Sequence, residues 1–182
     1  MNKVDLSRYD NSWYKPGGFI KRTLWHIFSM VFVNNYLPLP MIIKTNILRM
    51  FGAKIGKKVI IKPKVNIKYP WFLSISDHVW IGEQVWIDNL ADVSIGSNSC
   101  LSQGAMLLTG NHNYKSAGFD LMVQPIILHE GVWIGAKAVV CPGVTCHHYS
   151  VLTVGSVATN NMEEYGIYQG TPAKKIKIRV ID

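Results

Sequence analysis

Of the six histidines in the chain, His112 is the one whose surroundings suit chemistry. It lies in Leu-Leu-Thr-Gly-Asn-His-Asn-Tyr-Lys at 107–115, among polar neighbours that can hold a ring in place. An imidazole is the natural group to take a proton from a hydroxyl near neutral pH. His26 falls in an apolar stretch and reads as a packing or surface residue. His78, His129 and the His147–His148 pair fall at breaks in the pattern described next. The three cysteines, Cys100, Cys141 and Cys146, are odd in number and form no CxxC, as in a reduced, intracellular protein.

A histidine in a loop does chemistry only if something rigid positions it, and here the frame is a period of six. Ile55, Ile61, Ile67 and Leu73 share one column, which a two-residue slip carries to Ile75, Ile81, Ile87 and Val93. A second slip leads to Ile95, Leu101 and Leu107. After an interruption the column resumes at Leu128, Ile134, Val140, Cys146, Leu152 and Ala158. Of these 17 positions, 15 are Ile, Leu or Val, so the period is not a chance run. Two residues earlier in each repeat stand small or β-branched residues, among them Val79, Val85, Ser99, Ala105, Ala138 and Ser156. Gly56, Gly82, Gly96 and Gly135 follow the aliphatic position, where a corner is expected. Six residues suit one short strand plus one corner, and three such units close a triangular coil whose aliphatic residues point inward. An amphipathic helix would repeat its apolar residues at three and four instead. The fold class expected is all-β, a parallel β-helix over 55–160.

His112 sits in the one long interruption of this array, 109–125. Long segments thrown out from a rigid solenoid usually have a task, the bland alternative being a tolerated insertion. Residues 1–54 lack the period and read as an N-terminal cap. A helix is expected from Ile20 to Val33, and a second over 41–50 ending at Gly52. Solenoids need their open ends covered. The competing reading of these helices is an amphipathic membrane-surface contact helped by Lys21, Arg22, Lys44 and Arg49. Residues 161–182 read as a C-terminal basic tail.

With 19 Lys and Arg against 11 Asp and Glu, the formal charge of +8 favours an anionic partner, such as a phosphorylated cofactor or a membrane surface. No RNA-binding motif or zinc-finger spacing is present, so nucleic acid is not expected. Charged residues make up only 16% of the chain, which suits a surface partly covered by another subunit. No secretory signal is visible, and the apolar run Trp25 to Val33 falls far short of the ~20 residues that span a bilayer. A cytoplasmic protein is expected, with the inner face of the membrane as the one alternative site.

The His112 loop, the Val-Trp-Ile-Gly-Ala block at 132–136 and the ending Gly-Thr-Pro-Ala-Lys-Lys-Ile at 170–176 occur in an order that resembles the hexapeptide-repeat acyltransferases. Within them the chain is similar to O-acetyltransferases of the colanic-acid-biosynthesis type, from about residue 20 to the end. The resemblance implies a left-handed β-helix, a homotrimer with active sites between subunits, acetyl-CoA as donor and a sugar or glycolipid hydroxyl as acceptor, with no metal. It implies that His112 is the general base, with Asp88 and Asn89 on the acceptor side, joined by the loop residues Asn111 and Tyr114. It places CoA along the coils near Ala136 and from Val154 to Thr159, with Lys174, Lys177 and Arg179 reaching its phosphates. Asp88 and Asn89 read equally well as an ordinary corner pair, and the three basic residues as a solvated tail. Two departures stand out. Cys146-His147 replaces an aliphatic-Gly pair, which is expected to distort that corner, and Thr159-Asn160 replaces a Thr-Lys.

Three other readings share the scaffold. A zinc enzyme of the γ-carbonic-anhydrase kind would pair His112 with His147, but no third histidine falls at a suitable position. An acetyltransferase for an amino sugar or xenobiotic alcohol would use the same base. A catalytically silent trimeric scaffold would have lost CoA binding.

Overall fold

The computed structural model describes residues 3–182. Three parallel sheets form the faces of a triangular β-helix of five stacked coils. Face A holds five strands from Lys54–Ile55 to Thr145–Cys146, and face C five from Asn66–Ile67 to Val157–Ala158. Face B runs from Ile60–Ile61 to Val151–Leu152 and is extended by two further strands. The register stacks like on like: Ile55 on Ile75, Ile61 on Ile81, Ile67 on Ile87. The inward aliphatic column is buried from Ile61 to Ala158, and Ile55 at the capped end is half-buried. A residue that leaves a column therefore removes contacts above and below it as well as its own burial.

The corners show why the glycines are there. None of Gly56, Gly82, Gly96 and Gly135 has a positive φ. A Cβ at Gly82 would lie 2.8 Å from the Leu101 carbonyl oxygen, and one at Gly135 2.6 Å from the Val154 nitrogen. These glycines allow the backbone of the next coil to approach. The left-handed conformation falls two residues later, at Lys58, His78, Gln84, Asn98 and Lys137 among others. At Cys146-His147 the distortion expected from the missing glycine is absent. Cys146 keeps register with Leu128 and is fully buried, because its thiol packs as a small hydrophobe. Burial pushes that thiol up to about 12.

Each coil donates backbone N–H groups to the carbonyls of the next, as Gly82 does to Leu101 and Lys62 to Ile81. The first coil has no predecessor, so the carbonyls of Ile55, Ile61 and Ile67 would be orphans. Two helices, α1 (Phe19–Phe32) and α2 (Met41–Met50), lie across this end and supply one side-chain donor per face. The Arg49 guanidinium donates to Ile55 O, with its Nη2 at 3.0 Å. Lys44 Nζ donates to Ile61 O at 3.2 Å and Trp25 Nε1 to Ile67 O at 3.0 Å. Lys44 is almost wholly buried, and desolvation lowers its pKa.

The columns slip by two residues twice, and both slips lie at the corner between faces C and A, in 68–72 and 89–92. The long interruption opens from the same corner one coil later. It is a β-hairpin whose strands, Gly110–His112 and Leu121–Val123, pair antiparallel. Residues 3–18 do not join the cap. They run along this corner, with Asp5 N donating to Ala117 O at 2.9 Å and the Tyr14 hydroxyl to Leu90 O at 2.6 Å. The stretch read as a basic tail is also ordered into strands. Gly166–Gly170 adds to face B, and Ala173–Ile178 turns back antiparallel along it. Its alternating lysines lie on the outer edge strand, where charge discourages further pairing.

Candidate active site

Everything irregular in the coils converges on the C–A corner. Thr109, fully buried, fastens the hairpin there: its hydroxyl donates to Asp88 O at 2.9 Å and accepts from Ala91 N at 3.0 Å. Gly110 follows, where a Cβ would overlap the Leu90 side chain and stand 4.0 Å from Asp88 Oδ2. Because side chains alternate along a strand, His112 shares the hairpin face of Gly110, and Asn111 belongs to the other.

The His112 ring is fixed from three sides. Its Nδ1 lies 2.8 Å from the carbonyl oxygen of Phe119, and its plane stacks on the Phe119 ring at 4.4 Å between centroids and 8° between planes. Tyr9, from the N-terminal segment, approaches with its ring centre 5.9 Å away. A carbonyl can only accept, so in the neutral ring Nδ1 carries the proton and Nε2 is left with a free lone pair. The loop beyond is held by the Ser116 hydroxyl donating to Asp120 Oδ2 at 2.6 Å and by Asn113 N donating to Asp120 O at 2.8 Å.

On the opposite face of the hairpin lies a cleft of about 290 Å³ lined by Asn111, Met122, Gln124, Cys141, Pro142 and Thr159. Cys141 is the nucleophilic atom type in it. Burial raises its pKa, so it stays a thiol at neutral pH and is a poor nucleophile.

Asp88 is largely buried, and Lys68 Nζ stands 2.9 Å from its Oδ1, an ion-pair distance outside hydrogen-bonding geometry. Asn89 is fully buried and its amide is used by the coil below. It accepts from Tyr69 N at 3.0 Å and donates to Tyr69 O at 2.5 Å, bridging two widened corners. Asn111 Oδ1 accepts from His112 N at 2.8 Å. Tyr114 is exposed at the hairpin tip. Ala136 and Val154 sit together at the B–C corner, where Gly155 N donates to Ala136 O at 2.9 Å. Thr159 lies at the far end of face C, so these three span one face. Lys174 pairs with Gln169 and is level with the B–C corner, whereas Lys177 lies opposite Ile167 farther back. Arg179 is at the A–B corner, its Nη1 donating to Gly131 O at 3.0 Å and Tyr149 O at 3.2 Å. Lys174 and Lys177 therefore lie apart along one strand and Arg179 just beyond its end, so the three cations do not converge.

Phe119 and Tyr9 were not among the residues singled out by sequence. Phe119 acts through its backbone carbonyl, and only the register of the hairpin brings it under His112. His147 stands away from His112, with its ring 5.3 Å from His129, and His148 is 4.7 Å from the same ring. Among the described residues no group of three His, Cys, Asp or Glu is arranged to hold a metal ion. No described helix is long and apolar enough to cross a membrane.

No family model matches the chain. The putative colanic acid biosynthesis acetyltransferase WcaF of Escherichia coli strain K12 is 38% identical over 134 residues, 74% of each chain. The crystal structure of a hexapeptide-repeat containing acetyltransferase from Vibrio cholerae superposes with a TM-score of 0.80 at 22% identity, covering 87% of this chain and 90% of that one. The same enzyme complexed with acetyl-CoA gives a TM-score of 0.79 at 21% identity over 87% of each chain.

Proposed function

From the premise that this chain belongs to the hexapeptide-repeat acetyltransferases of the colanic-acid-biosynthesis type, we propose that it moves an acetyl group from acetyl-CoA to a sugar hydroxyl, with His112 as general base. The observation that carries the reading is the contact between His112 Nδ1 and Phe119 O, which leaves Nε2 as the acceptor. Nε2 takes the hydroxyl proton as the sugar oxygen attacks the thioester carbonyl. The tetrahedral intermediate collapses, the C–S bond breaks, and the imidazolium returns the proton to the departing thiolate. A direct transfer of this kind suits a site whose own cysteine, Cys141, stays protonated.

Asp88 belongs to the acceptor side, where it shares the hairpin face of His112, while Asn89 supports it by fixing the corner. Tyr114 completes that side from the hairpin tip, whereas Asn111, on the opposite hairpin face, meets the substrates from the cleft that it lines with Thr159. Acetyl-CoA lies along face C from the corner of Ala136 and Val154 to Thr159, with Lys174 nearest its phosphates, Lys177 farther and Arg179 in a positioning role. The active protein is a homotrimer with sites between copies. The exposed, outward-facing Trp80, Trp86 and Trp133 supply apolar surface for such contacts.

Calorimetry tests the donor: acetyl-CoA binds in the micromolar range, and Lys174→Ala weakens it ~1.5- to 5-fold, the worth of one exposed charge contact. No binding by the wild type contradicts the reading.

A further inference from the structure

The coil end capped by α1 and α2 carries an apolar surface that none of the described residues covers. The inward side of α1 presents Trp25 and Ser29, both buried. On its opposite side Ile20, Leu24, Ile27 and Val31 follow one another at i, i+4, i+7 and i+11, a single stripe exposed by 45–73%. A helix apolar on both sides is normally sandwiched between two apolar phases. Here one is the β-helix core and the other is missing. Exposed Tyr36 and Leu37 prolong the patch beyond the helix.

Charge distinguishes this end from the rest of the molecule. Residues 19–68, the cap and first coil, hold 10 of the 19 Lys and Arg and none of the 11 Asp and Glu, a net +10, so the remaining residues carry −2. Much of that charge stands on the first coil beside the helices: Lys54, Lys57, Lys58, Lys62 and Lys68 are all exposed. An aliphatic helix face ringed by lysines matches an anionic bilayer, whose headgroups attract the cations while its acyl boundary takes the apolar stripe. A second copy is the poorer occupant, because apposing two ends of +10 costs repulsion that an anionic surface converts to attraction.

We propose that this end docks on the surface of an anionic phospholipid membrane, with α1 lying in the plane of the interface and Ile20, Leu24, Ile27 and Val31 entering it. The inference stands on the helix face and the charge distribution and does not depend on acetyl transfer. The His112 hairpin opens at the third coil, so docking leaves it clear of the membrane while bringing membrane-borne acceptors near.

Co-sedimentation of the full chain with phosphatidylglycerol vesicles and with phosphatidylcholine vesicles tests it. The expected result is binding to the former alone, weakening steeply with salt. A variant carrying I20Q, L24Q, I27Q and V31Q should lose at least ~10-fold in partitioning, since each buried aliphatic side chain contributes to interfacial binding. It should keep the wild-type molecular mass by light scattering and its acetyl-CoA affinity. Should that variant not fold, the surface charge reversal K57E with K58E and K62E, combined with salt titration of the wild type, carries the same test. Three results overturn the proposal: no binding to phosphatidylglycerol vesicles, a change in assembly state in the glutamine variant, or binding that survives the glutamine substitutions unchanged.

Discussion

Replacing Trp25 with Phe removes one hydrogen-bond donor from the end of the solenoid. The indole Nε1–H is the donor that satisfies Ile67 O, and Trp25 is 3% exposed, so water has little access to the vacated position. Leaving a buried carbonyl unpaired costs about 1–3 kcal/mol. The smaller ring also loses part of its packing against Phe51, whose ring centre is 5.2 Å away, which adds roughly 1 kcal/mol. A loss of about 2–4 kcal/mol is expected. Urea denaturation followed by circular dichroism measures it as a lower midpoint at unchanged slope. Phe51→Leu is the control, since it disturbs the same packing and spares the carbonyl. If Trp25→Phe costs less than about 0.5 kcal/mol, within the scatter of surface substitutions, the carbonyl is satisfied some other way and the helices do not cap the coils through these donors.

Gly82→Ala drives a Cβ against the Leu101 carbonyl and should destabilise by about 1–3 kcal/mol, as overpacking does. Thermal unfolding checks it against Gly18→Ala, where a Cβ meets nothing within 4 Å. His129 is held below the ordinary imidazole value, chiefly by desolvation and then by the like charges of His148 and His147. Its neutral form is favoured in the fold, so its share of stability is present above the unfolded value near 6.5 and is lost as pH falls below it toward the folded value. Urea midpoints measured from pH 7.5 down to pH 5 should fall, and His129→Gln should flatten that fall.

The period of six made the β-helix legible because Ile, Leu and Val recur with so few exceptions that register follows from counting. Both helices of the cap were legible from Pro38, Pro40 and Gly52, to within a residue of their ends. What the helices do was not, because Arg49, Lys44 and Trp25 reach orphan carbonyls set by the direction of stacking. His112 stood out through its loop, but the group that orients it is a backbone carbonyl, which no residue type announces. Asn89 reads as a polar corner residue in sequence, and only the stacked Tyr69 backbone shows where its amide goes. The final strand was masked by lysines alternating with Ile176 and Ile178, a pattern that suits an edge strand as well as a solvated tail.

Thiol release from acetyl-CoA, followed with a sugar acceptor for wild type and His112→Ala, tests the catalytic assignment most directly. Turnover should fall by about two to four orders of magnitude, the usual worth of a general base, while acetyl-CoA affinity by calorimetry stays within ~2-fold. Undiminished turnover, or a loss of acetyl-CoA binding that matches the loss of turnover, would contradict the account and make the hairpin a structural element.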